Sequence, residues 1–350
     1  MPAPIRIGLL NDMADAPPAP GDMGEWIERE LAHVRKAGRL SADVELVRAY
    51  GLGLPEGSAA AIKRAFAELD AADVVLIVGP AIGDNALIAT PLAERAQVPT
   101  LNWAGAERAR GEWMFHLQVG SHEDESLVIA RHLAAQGARR LAVAYDKSPI
   151  GERHLAFLAD EAALLGQEIA ATEWLFPLAT EAEPEVAQLL AAAPDAVVYL
   201  GLGLSAPAVA QALTARGWSG PRIMNSAGLR GYRGDFARVI DGWDYVDMIA
   251  DDNRTLAALL QAADLPQRGR LAAAKGHDLG RLVAEALARS SEPTRAGVRQ
   301  GLERIKWLPA AEGAEGTLLG FGIQDRGALH GRYLIVRRWQ NGESIEVDRG

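Results

Sequence analysis

The stretch ADVVLIVGPAIGDNALIATPLAERAQVPTLNWAGA, residues 72–106, decides the fold. Val74–Val78 is a short, unbroken apolar run closed by Gly79-Pro80, the pattern of a buried strand. A loop follows, then a helix over about Asp84–Arg95. A second short strand, Val98–Leu101, opens at once into Asn102-Trp103-Ala104-Gly105. In an open parallel sheet, ligands sit beyond the carboxyl ends of the strands. Two successive strands ending in small-residue loops at one edge predict half of a binding site there.

The neighbouring segments repeat this design. Ile5–Leu10 and Val44–Ala49 read as strands, and Met23–Ala37 and Ala59–Leu69 as helices, with a Pro-rich loop over 14–22. Trp26, Ile27, Leu31 and Val34 recur at helical spacing. The pattern so far is β-α-β-α-β-α-β, a doubly wound α/β lobe. Phe115–Val119 reads as a short strand, and Ser121 as the N-cap of the next helix. Four further helix–strand pairs then predict a second lobe. They are 125–136 with 140–145, 152–165 with 169–175, 183–192 with 196–200, and 206–216 with 222–224. Beyond Asp252 the chain turns helical over 255–263, 271–288 and 295–303. A Gly-rich stretch at 312–322 follows, and then a β-hairpin around Asn341-Gly342. Two tandem lobes of one design suggest a cleft between them.

Composition narrows the function. The 350 residues suffice for two domains, and 49% hydrophobic with 23% charged residues describes a globular chain. A net charge of -10 leaves no basic surface to displace counterions, which argues against nucleic acid. Cysteine is absent, so disulfides and thiolate chemistry are excluded. No apolar run reaches membrane-span length, so no direct membrane insertion is expected. The N-terminus, MPAPIRIGLL, lacks a signal-peptide pattern, which leaves a cytoplasmic chain and a processed, exported one both open.

The candidate sites each have a plainer counterpart. Gly201-Leu202-Gly203-Leu204-Ser205-Ala206 follows a strand and matches the dinucleotide turn, but the next strand ends in Asn225 and Ser226, without the acid that holds a ribose. It reads better as a tight turn lining a cleft. Met224–Gly228 resembles a nucleophile elbow but has Met where the first Gly belongs. The seven histidines form no metal-ligand spacing, and most read as surface residues. His277, opening a long apolar helix, is the one candidate to face a cleft. Asp84 and Asn85 read equally as helix caps and as groups that, with nearby free N–H groups, face a ligand. Trp103 is either packing or a ligand platform. No catalytic set, metal site or cofactor is expected.

Gly79-Pro80, Pro91, Ala93-Glu94 and Val98-Pro99 fall at spacings similar to those of type I periplasmic binding proteins, the solute receptors of branched-chain amino acid and amide ABC transporters. RRLAVAYDKSPIGERHLAFL and PDAVVYLGLGLSAPAVAQALTARG extend the resemblance over most of residues 5–230. It implies two Rossmann-like α/β lobes, 1–120 plus 250–322 and 121–249 plus 323–350. It also implies a three-crossing hinge between them, ligand in the cleft, a periplasmic location and an ABC permease as partner. The chain would be a monomer or weak homodimer and no enzyme.

The departures from the family pattern bear on the ligand. Hydroxyls are missing near Ile82 or Gly83 and at Ala106, Ile150 replaces a tyrosine, and Ala227 falls where an acid would hold an α-ammonium group. Burying an unpaired zwitterion is costly. The expected ligand is therefore a small aromatic or aliphatic carboxylate or amide. Its expected neighbours are Ile82, Gly83, Asp84, Asn85, Asn102, Trp103, Ala104, Gly105, Ile150, Leu202, Gly203, Leu204, Ser226, Ala227, Arg230 and His277, with Tyr232 as a further candidate. Free N–H groups at Ala104-Gly105 and at helix starts are candidates to hold a carboxylate, with Arg230 as a possible counter-charge. The alternatives are a cytoplasmic ligand sensor of the same fold and an NAD(P)-dependent oxidoreductase using Gly201 and Gly203.

Overall fold

The computed structural model describes residues 4–19, 23–40, 42–118, 121–263 and 269–348. The chain divides into two compact α/β units, Met1–Val119 with Asn253–Gly331, and Gly120–Asp252 with Arg332–Gly350.

In the first unit, β1 (Ile5–Asn11), α1 (Gly24–Lys36), β2 (Val44–Tyr50), α2 (Ala59–Ala71), β3 (Leu76–Val78), α3 (Gly83–Ala96), β4 (Thr100–Asn102) and β5 (Met114–His116) alternate. Their five strands form one parallel sheet in the order β2-β1-β3-β4-β5. Alternation along the strands separates two faces. Leu10, Val47, Ala49 and Ile77 point to one face, where Ile62, Phe66 and Leu69 of α2 and Ala89 and Ala93 of α3 complete the core. The intervening residues point to the other face. Gly79 turns the chain off β3 at φ +109°, and a Cβ there would stand 2.2 Å from the Leu10 carbonyl oxygen.

The second unit runs α4 (His122–Ala135), β6 (Arg140–Asp146), α5 (Pro149–Leu164), β7 (Glu168–Leu175), α6 (Glu183–Ala191), β8 (Ala196–Leu200), α7 (Ala206–Ala215) and β9 (Arg222–Met224). A 3-10 turn (Ser226–Tyr232), α8 (Phe236–Val239) and β10 (Asp244–Asp247) follow. The chain then returns to the first unit as α9 (Arg254–Ala263), α10 (Arg270–Arg289), α11 (Arg295–Glu303), β11 (Leu308–Pro309), β12 (Leu318–Leu319) and β13 (Leu329–His330). The final hairpin, β14 (Ile335–Gln340) and β15 (Glu343–Asp348), adds antiparallel to β10, giving the order β15-β14-β10-β9-β8-β6-β7. Its turn has positive φ at both Asn341 and Gly342, the conformation an Asn-Gly hairpin supplies at low cost. Ser121 caps α4 as its sequence predicts, accepting from the Asp124 amide.

Three details depart from the sequence reading. Residues 323–331 lie in the first unit rather than with the second lobe, because β13 pairs with β12 and Gly327 bridges His116, and residues 250–252 lie in the second unit rather than the first. β10 was not foreseen; its four residues begin and end in Asp, which breaks the apolar run that marks a strand. Histidines are mostly buried rather than superficial: His116, His122, His132, His154 and His277 are all below a tenth exposed. Polar neighbours make that tolerable. His132 meets Asp244 at 2.8 Å, His277 meets Glu30 of α1 at 3.0 Å, and His122 and His154 lie ring to ring.

Gly79→Ala is expected to lower unfolding free energy by about 2 kcal/mol or more, from the left-handed backbone and the Leu10 clash together. A urea-melt midpoint unchanged from wild type would show that the turn is not constrained in this way.

Candidate functional site

In the first unit, β1 connects through α1 to β2 on one side and β3 connects through α3 to β4 on the other, so the connections diverge between β1 and β3. That is the topological switch point, where open α/β sheets place ligands. The chain leaving β1 there carries Asp12, which is 1% exposed. Its carboxylate accepts the Ala81 and Ile82 amides at 2.9 and 3.0 Å and the Asn85 side-chain amide at 2.8 Å. The Asp12 carbonyl takes the Gly53 amide. Asn85 in turn exchanges hydrogen bonds with both the N–H and the carbonyl of Leu54. The ends of β1, β2 and β3 are thus tied through one carboxyl group, whose pKa burial raises against the lowering effect of the donated hydrogen bonds. Ile82, the N-cap of α3, makes no side-chain cap of its own.

This arrangement revises the expected ligand contacts. Asn85 is fully buried and spent on Asp12 and Leu54, so its amide does not face solute. The Ile82 amide belongs to Asp12, while Gly83 and Asp84 are buried in the first turn of α3. Asn102 is also fully buried; it donates to the Phe115 carbonyl and accepts the Ala104 amide. The Ala104 carbonyl meets the His116 ring. Ala104 therefore offers no free N–H for a carboxylate, and Gly105 beside it is partly exposed. His277 faces α1, where Gly276 and Gly280 let the Trp26 backbone and ring approach α10, and not an open edge.

Trp103 does line a recess. Together with Leu9, Leu10, Asn11, Met23, Arg48, Tyr50 and Val78 it borders a shallow recess that is open to solvent. Strand register builds this recess: Arg48, Leu9 and Val78 stand in one row across β2, β1 and β3, and Tyr50 and Asn11 in the next. Leu9, Val78 and Trp103 are buried, whereas Arg48 is exposed and Tyr50 partly so. The sequence reading followed the ends of β3 and β4 only; the same strand-end rule applied to Leu9–Asn11 and Arg48–Tyr50 points to the other residues.

The second unit repeats the device. β6 lies between β7 and β8, and Asp146 at its end accepts the Leu202 amide at 2.8 Å, the Ser205 hydroxyl at 2.5 Å and the Tyr199 hydroxyl at 2.9 Å. The Gly203 amide donates to the Tyr199 hydroxyl. A Cβ on Gly201 would lie 2.2 Å from Asp146, and Gly203 sits at φ +87°. The glycines thus serve a close approach to a carboxylate, at the amides a pyrophosphate would need. Leu204 is half-buried beside them. Arg230 donates its Nε to the Leu202 carbonyl at 2.6 Å, and its Cδ, like the Ala227 side chain, lies close to Gly203. Ile150 is buried in the first turn of α5.

Ser226 is held by a residue that the sequence reading missed. Glu125 of α4, completely buried, accepts the Ser226 amide at 2.5 Å, the Ser226 hydroxyl at 3.1 Å and the Ser121 amide at 2.8 Å. Burial pushes its pKa up to about 8 despite these donors. Beside it, Asn225 meets the His154 ring, which burial and the neighbouring His122 keep neutral. Ala227 lies next to this cluster in sequence, at 5% exposure.

A family model described as periplasmic binding protein matches residues 4–342. Solved structures share the fold over nearly the whole of both chains. A periplasmic binding protein type 1 from Bordetella pertussis is 16% identical, with TM-score 0.81 over 99% of this chain and 100% of its own. A leucine-binding protein from Thermotoga maritima is 13% identical, with TM-score 0.79 over 98% and 97%. An ABC transporter substrate-binding protein from Desulfitobacterium hafniense, solved in complex with Leu, is 18% identical, with TM-score 0.78 over 99% and 100%. No curated protein sequence matches the chain.

Two measurements check the clasps. Asp12→Ala removes the acceptor of three donors and is expected to cost about 3 kcal/mol in a denaturant melt; a loss within 0.5 kcal/mol, roughly the range of an ordinary surface change, would show the clasp to be dispensable. Glu125 binds a proton in the folded chain up to about pH 8 but releases it near 4.5 when unfolded. Its stabilising share is therefore complete below pH 4.5 and fades as pH rises to 8, by up to about 5 kcal/mol. Thermal melts across pH 5–8.5 are expected to fall more steeply for wild type than for Glu125→Gln; parallel curves would refute this.

Proposed function

The chain belongs to the periplasmic binding protein family, and from that premise we propose that it is the solute receptor of an ABC transporter for a small, weakly polar molecule other than a free α-amino acid. The observation that carries this reading is the recess at the switch point of the first unit. Its floor of Leu9, Val78 and Trp103 is apolar, and Asn11, Tyr50 and Arg48 are its few polar groups. That is the usual composition of a small-molecule site. None of the lining residues is acidic. Asp12, next in the chain after Asn11, already receives three donors. An α-ammonium group would therefore enter without a counter-charge at this edge, which is costly.

The sequence differences agree. Ile82, Gly83 and Ala106 carry no hydroxyl, and Ala227 carries no acid. An aromatic or aliphatic carboxylate, or the corresponding amide, makes fewer demands: one polar end and an apolar body. In the second unit the Leu202 and Gly203 amides are satisfied internally, which supports a receptor over a dinucleotide enzyme.

A thermal-shift screen across amino acids, amides, aromatic and short aliphatic acids, sugars and dinucleotides tests the reading. A solute at 100 times its dissociation constant adds about 2.7 kcal/mol. An acid or amide is expected to raise the melting temperature, and Trp103→Ala to weaken that solute about tenfold by titration calorimetry. A shift with leucine or valine alone, or with dinucleotides alone, would overturn the proposal.

A further inference from the structure

Resting on the receptor reading above, we infer that Arg48 is the charge-recognising residue of the recess, so that the solute is a monocarboxylate rather than its neutral amide. The argument begins with what is already taken. A carboxylate at the edge of an α/β sheet is ordinarily held by loop and helix-start amides. Here Asp12 occupies the Ala81 and Ile82 amides, and Asn102 occupies that of Ala104. A second anion at those amides would also meet the Asp12 carboxylate itself, a like charge within a few ångströms. The Ala81, Ile82 and Ala104 amides are thus taken from inside the protein.

Arg230 belongs to the other unit and is anchored to the Leu202 carbonyl, where burial raises the pKa of the nearby Asp146 and the Arg230 charge only partly opposes that rise. Within the recess the cation is Arg48. It projects from β2 on the same face as Leu9 and Val78 and in the same row, so an apolar body lying over Leu9 and Trp103 places its polar end toward the guanidinium. Tyr50 and Asn11 stand one row further along, near enough to supply further polar contacts. Arg48 has a partner within the protein, but a guanidinium carries five N–H donors in a planar fork, enough to serve a neighbour and a carboxylate together.

The test compares benzoate with benzamide and 4-methylpentanoate with 4-methylpentanamide by calorimetry, on wild type and Arg48→Gln. One acid of the two is expected to bind wild type at least 10-fold more tightly than its amide. In Arg48→Gln that acid is expected to weaken by roughly 10-fold or more, while its amide is unchanged. Arg48 is exposed, so an unfolding midpoint matching wild type is expected and certifies the variant. An acid whose affinity is the same in both proteins overturns the role of Arg48 and leaves the receptor reading standing. So does binding of an amide, sugar or other solute with neither acid bound. Silence of every solute in the wider screen overturns both together.

Discussion

A buried carboxylate, with no ion-pair partner among the described residues, holds one edge of the first unit's sheet together. Asp12 stands just past β1, where the chain must connect three strand ends, and satisfies the amides of Ala81 and Ile82 and the side chain of Asn85. Backbone donors inside a protein cost free energy if left unpaired, and the loop before α3 has no side-chain cap of its own. Everything near that loop is positioned relative to this group: the Gly79 turn, the start of α3, and the return from β2 through Gly53 and Leu54.

The second unit reaches the same solution with different residues. Asp146 ends the strand at the corresponding place in its sheet and gathers Leu202, Ser205 and Tyr199. In both units the acid comes from the strand at the switch point, and the loop it gathers comes from the next strand across. The geometry of a parallel sheet explains the choice. The first strand of each unit borders the crevice where the connections diverge, so its end lies beside the loop that leaves the strand across it. A short acidic side chain there accepts several N–H groups at once, which a Ser or Thr cap cannot.

The sheets were legible in the sequence because their cores are written locally. Val74–Val78 bounded by Gly79-Pro80, and the helical spacing through Ile27, Leu31 and Val34, need no knowledge of distant residues. The clasps were not legible, because their partners are far apart in the chain. Asp12 is 69 to 73 residues from the groups it binds, and Glu125 is 101 from Ser226. Nothing local distinguishes Asp12 from an ordinary turn aspartate. Asn85 and Asn102 were read as ligand-facing because polar residues at strand ends and helix starts often are; their full burial shows them serving the backbone instead. Arg48 and Tyr50 were passed over because Val44–Ala49 was read only as a strand, without asking which residues stand at its carboxyl end.

The internal carboxylates also determine when the loops become ordered. Asp12 and Asp146 each do for their loop what a bound anion would do, but they do it as the chain folds. The conformational entropy of the Ala81–Asn85 and Gly201–Ser205 segments is therefore lost in folding and need not be lost again when a solute arrives. A binding isotherm for such an edge carries little ordering penalty from these two loops. In calorimetric terms, the unfavourable entropy and the heat-capacity change of coupled folding have no source there. Under the proposed receptor reading, affinity at this edge would be governed by what the solute touches, chiefly the apolar floor and its rim.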